Sequence, residues 1–136
     1  MTLIEDRDPS AKLIATGAQI FKDQPGSVLG IYQPQRQGRR QLAETLVRLV
    51  KRATDLIKTD PKKAAIPVFR ALGAGIVPLA VFERAMISPS SHFISNPAQI
   101  LEATAEMQDY QVKIGVLKHA VPVDQAFDLS IFRNNL

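Results

Sequence analysis

Residues 39–59 read RRQLAETLVRLVKRATDLIKT, and this stretch decides the fold class. At helical spacing, Leu42, Leu46, Leu49, Val50, Ala53, Leu56 and Ile57 share one side. Arg40, Glu44, Arg48, Lys51, Asp55 and Lys58 take the other. Apolar residues returning every three or four positions specify an amphipathic helix with one buried stripe, because a helix turns once in about 3.6 residues. Glu44 and Arg48 form a favourable i,i+4 pair, and Asp55 reaches Lys51 or Lys58.

Downstream, Asp60-Pro61 restarts the chain. The acid is suited to capping a helix and the proline to its first position, where its missing N–H costs nothing. A second helix over 61–72 follows, kinked by Pro67 and stopped by Gly73 and Gly75. Val77-Pro78 opens a third that runs to Ile87, and Ser88-Pro89-Ser90-Ser91 is a loop. Phe93 and Ile94 read as a short extended piece. Asn96-Pro97 repeats the start signal, and the fourth helix runs from Pro97 to Ile114, with Gly115 as its stop. Its inner stripe is Ile100, Leu101, Thr104, Met107, Gln111 and Ile114. The spacer Val121-Pro122-Val123 leads to a short terminal turn or helix, Gln125 to Phe132, with Asp124 as its cap.

Upstream, Leu13 to Thr16 is a short apolar run and Gln24-Pro25-Gly26 a turn. Val28-Leu29-Gly30-Ile31-Tyr32 reads as a strand, since β-branched and aromatic residues suit a pleated surface. Pro34 and Gly38 close it. Residues 1–12 are polar and expected to be flexible. The sequence therefore predicts an α+β domain over 1–136, mainly helical, with four amphipathic helices and a short strand pair near the N-terminus.

Composition narrows the function classes. The chain has 136 residues, 46% hydrophobic and 22% charged, enough for one domain with a modest core. No apolar run is long enough to cross a membrane as a helix. Without Cys there is no disulfide, thiolate metal site or Cys nucleophile. Only His92 and His119 are histidines, so no His-rich metal site is expected. No Trp and 6% aromatics argue against a stacking platform for single-stranded nucleic acid. The net charge of +4 is concentrated: residues 36–70 hold ten Lys or Arg against Glu44, Asp55 and Asp60. Such a stretch suits nucleic acid, acidic lipid or an acidic partner. Its charges are partly paired within their own helix, and no helix with base-reading side chains stands out, so nucleic-acid binding ranks last among the binding readings.

Catalytic chemistry finds no constellation. There is no Gly-rich phosphate loop. Ser88, Ser90 and Ser91 lie near His92, but a triad needs an orienting group in space. Asp124 and Asp128 are two carboxylates without further ligands, a poor cation site. No enzyme, cofactor or metal is expected.

Three stretches carry a resemblance. The first is Ala15-Thr16-Gly17-Ala18-Gln19-Ile20-Phe21 with Gln24 to Gly30. The second is Leu46 to Ile57, containing Arg52-Ala53-Thr54-Asp55, closed by Asp60-Pro61-Lys62-Lys63-Ala64-Ala65. The third is Tyr110 to Lys118, then Val121-Pro122-Val123-Asp124-Gln125-Ala126-Phe127-Asp128-Leu129-Ser130. In order and spacing they resemble the C-terminal half of ABC-importer solute-binding proteins of the nitrate, sulfonate and taurine type. That group also includes binders of thiamine's pyrimidine precursor.

The resemblance implies part of a type II periplasmic-binding-protein-like lobe and a non-catalytic role in binding a small anion or sulfonate. The family has two lobes with a cleft between them, so this chain would correspond to a truncated or split member. Gln24 and Ser27, on the segment returning toward the cleft, are the implied ligand contacts. The implied partners are an ABC permease, a chain supplying the missing lobe, or a second copy in a homodimer. The N-terminus lacks an apolar signal region, which predicts a cytoplasmic chain as written. The full-length family context implies a periplasmic or membrane-associated one. The alternative is a structural, oligomerising interaction protein derived from that family with its ligand site lost.

Overall fold

A computed structural model of the chain describes residues 2–24, 26–32, 34, 38–73 and 75–133. Pro25 of the expected turn and Arg36 of the basic stretch lie outside the described residues. The elements in chain order are α1 (Thr2–Arg7), α2 (Gly17–Ile20), α3 (Arg40–Thr59), α4 (Pro61–Val68), a π turn (Phe69–Gly73), α5 (Leu79–Met86), a 3-10 turn (Pro97–Ile100), α6 (Leu101–Lys113), α7 (Val123–Ala126) and α8 (Leu129–Arg133).

The expected α+β class is corrected: no strand or sheet occurs among the described residues, and the fold is all-α. The expected strand pair, and with it a sheet-bearing binding-protein lobe, is absent among the described residues. Residues 27–32 have β-prone side chains but find no ladder partner. Strand propensity reports how well a residue fits a pleated, half-covered surface, and without a neighbouring strand that surface does not exist.

Helices α3 to α6 fall where the start and stop signals place them, whereas the terminal element expected over Gln125 to Phe132 is divided into α7 and α8 by the non-helical Phe127 and Asp128. Asp60 accepts a 3.0 Å hydrogen bond from the Lys63 N–H and Pro61 occupies the first turn of α4. Asn96 does the same for Ala98 N–H at 3.0 Å, and the chain enters α6 through a 3-10 turn. Pro67 does not end α4. Phe69 N–H again reaches Ala65 O, and a π turn follows at Phe69–Gly73. Gly115, at φ +78, ends α6 in a Schellman motif. Gly115 N–H reaches Val112 O at 3.0 Å, and Val116 N–H reaches Gln111 O at 2.8 Å.

The chain divides into two compact units. The first comprises 1–16 and 52–93. Here α4 and α1 pack against α5. Asp6 and Arg84 form a salt bridge between α1 and α5, and Phe69 meets Phe82 edge-on at 6.0 Å. Ala64, Ala65 and Val81 are buried, with Thr16 and Thr54. Helix α1 was not anticipated from sequence. Its partner Arg84 is 78 residues away, out of reach of any local reading.

The second unit comprises 17–51 and 94–136. Its buried side chains are Ala43, Ala103, Ile131 and Phe132. Gln108 joins α6 to the segment before α7: its amide donates to Val121 O at 3.0 Å and its oxygen accepts from Val121 N–H at 2.7 Å. Phe21 lies 5.8 Å from Tyr110. Leu42, Leu49 and Val50 on α3, and Ile114 beyond α6, remain exposed, although the periodicity assigns all four to inner stripes.

Candidate functional site

The second unit holds an open groove of about 770 Å³, within the range of about 300–1,000 Å³ usual for small-molecule sites. Residues 27–31 line it, together with 94–97 and 125–128. Helix α3 contributes Val47 and Val50, and α8 contributes Ile131 and Phe132. Ile100 and Thr104 complete the lining. The groove is thus mainly apolar.

Its polar groups are few. Thr104 donates its hydroxyl to Ile100 O at 2.6 Å. Asn96 is committed to capping the 3-10 turn. Asp128, the only charged residue lining the groove among the described residues, accepts from Ser130 N–H at 3.0 Å and Ser130 Oγ at 2.7 Å, so its carboxylate caps α8. Asp124, expected in that capping role, lies instead in the first turn of α7, which has no side-chain cap. Among the described residues, the side chains of Ser27, Ser95 and Gln125 are the polar ones at the groove not drawn into such bonds.

Of the two implied ligand contacts, Ser27 lines the groove and Gln24 does not. Gln24 donates from Nε2 to Ala103 O at 2.7 Å, tying the segment before Ser27 to α6. Its Oε1 is buried without a hydrogen-bond partner among the described residues. Gln24 therefore positions the segment that carries Ser27. The sequence reading missed Val47, Val50, Ile131 and Phe132 as groove residues. Of these only Val50 is assigned to a buried stripe by the periodicity, and nothing local distinguishes a core wall from a groove wall.

The other candidates do not assemble. Ser88 and Ser90 hydroxyls pair with each other at 2.8 Å, and Ser90 N–H reaches Ser88 Oγ at 3.4 Å, the geometry of a loop held by its own side chains. Among the described residues no group of three or more His, Asp or Glu is arranged to hold a metal. On the basic helix, Arg40 pairs with Glu44 at 3.0 Å and Arg48 donates to Thr45 Oγ1 at 3.1 Å. No helix among the described residues is long and apolar enough to cross a membrane. No family model, curated protein or solved structure matches the chain.

Proposed function

We propose that this chain is a non-catalytic solute-binding component of an ABC importer, working with a second polypeptide segment that completes its site. One observation carries this reading. The groove draws on all three resembling stretches: residues 27–30 from the first, Val47 and Val50 from the second, and Gln125 to Asp128 from the third. Segments far apart in sequence thus share one cavity.

The lining narrows the solute class. Among the described residues no Lys, Arg or His lines the groove, so a bare inorganic anion would find no counter-charge from them. An alkanesulfonate suits it better. Its chain would lie on the apolar lining while hydroxyls such as those of Ser27 and Ser95 donate to the sulfonate oxygens. Partial enclosure by a second segment would raise the strength of those bonds by excluding water.

Thermal melts of the full chain against alkanesulfonates, taurine, nitrate and pyrimidines test this. A ligand that binds only the folded state raises stability by about 2.7 kcal/mol at a hundredfold excess over its Kd. The expected result is a rise with alkanesulfonates that Ser27→Ala diminishes. No rise with any of them, alone or with the complementary lobe of a binding protein added, overturns the reading.

The exposure of large apolar residues such as Leu72, Ile76 and Val116 favours a second reading, a structural interaction protein without a solute. A solute-independent assembly in the absence of any melting shift would select it.

A further inference from the structure

The residues from Ser27 to Tyr32 make no hydrogen bond to any other described residue. Val28 is 60% exposed and Tyr32 75%. The run contains no charge and no proline, and is rich in side chains that favour strands. An uncharged, exposed, β-prone stretch with free backbone donors and acceptors is a template for strand pairing. The exposed apolar residues of the helices differ in kind, because helical backbone is already hydrogen-bonded and offers only side chains.

We propose that this segment pairs antiparallel with the same segment of a second copy, about a two-fold axis at Gly30. The argument for a second copy is complementarity. In that register Val28 faces Tyr32 of the second copy and Leu29 faces its Ile31, each pair repeated by symmetry. Aromatic and β-branched cross-strand pairs are among the favourable ones. Gly30 meets Gly30, and nothing within 4 Å of a Cβ built there obstructs the approach. Two uncharged segments meet without like-charge repulsion, whereas a charged partner would find nothing to pair with. A two-fold contact of this kind is self-complementary and closes at two copies. Pro34 has no N–H to extend the ladder. The inference goes beyond the solute reading and does not depend on it.

Sedimentation equilibrium of the full chain tests the pairing. The expected mass is twice 15.0 kDa. Leu29→Pro removes a donor from both strands and should weaken the dimer by about tenfold or more, leaving the helical circular dichroism unchanged. The chain has no cysteine, so Gly30→Cys gives a clean second probe. Opposed residues in an antiparallel pair have Cα atoms about 4.5 or 5.5 Å apart, within disulfide reach. Mild oxidation should convert Gly30→Cys to a covalent dimer far faster than Ile14→Cys, an exposed position in the first unit. A monomer at all concentrations overturns the proposal. So does a dimer that Leu29→Pro leaves intact, or equal cross-linking of the two cysteine variants.

Discussion

The first unit buries Ala64, Ala65 and Val81, while the second buries Ile131 and Phe132 beside Ala43 and Ala103. Small side chains let two helix backbones approach closely, and in the first unit α4 and α5 pack against each other. The second unit relies on two bulky residues of a five-residue helix, α8. A short helix covers little surface, so a groove stays open beside it. Where packing is carried by a few large side chains on a short element, space for a ligand remains.

The sharpest way to break this comparison is Phe132→Ala. Deleting a buried aromatic ring typically costs about 3–5 kcal/mol, and urea unfolding should show a loss of that order. A loss under about 1 kcal/mol would mean that α8 does not hold the second unit together. Ala65→Leu probes the opposite design. Ala65 is completely buried, and extra methylenes forced into a close helix contact should cost about 1–3 kcal/mol. The same enlargement at Ala53, exposed on α3, should leave the unfolding midpoint nearly unchanged.

Smaller effects separate the two helix starts. Asp60→Ala removes the acceptor for Lys63 N–H and should cost about 1 kcal/mol. Asn96→Ala should cost less, because Asn96 caps a 3-10 turn whose bonds are weaker to begin with. Equal losses in urea would contradict that ordering.

The smallest effect is a titration. The Ser10 hydroxyl, at 2.6 Å, and then the Ser10 N–H hold the Asp8 carboxyl below its ordinary range. A depressed carboxyl favours the folded state above the unfolded-state pKa, and this contribution disappears as pH falls through the folded-state pKa. Ser10→Ala should move the Asp8 midpoint upward by NMR titration, with little change in stability at neutral pH.

Much of the helical layout was legible because its signals are local. Asp60-Pro61, Asn96-Pro97 and Gly115 act within a few residues of themselves, and each sits at the helix end it marks. Helix α1 was illegible because its stabilising partner comes from α5. The β-prone run 28–32 was misread for a related reason: its side chains state a preference, but a strand requires a neighbour that the described chain does not provide. Ser27 was legible as a groove residue only through the resemblance. Gln24 is adjacent to it in chain and different in role, a distinction set by the distant Ala103 carbonyl.

The Gln108 carboxamide offers Val121 one donor and one acceptor, as a neighbouring peptide group would. Its consequence extends to proteolysis. Lys118 and His119 lie exposed inside the loop that this side chain closes. Trypsin cleavage after Lys118 would therefore sever the chain without releasing its end, since Gln108 still holds Val121 and the buried Ile131 and Phe132 still anchor α8. The nicked protein should elute from a sizing column as one particle and separate into two bands only after denaturation. Gln108→Glu cannot donate to the Val121 carbonyl, and with that change the C-terminal piece should begin to come away.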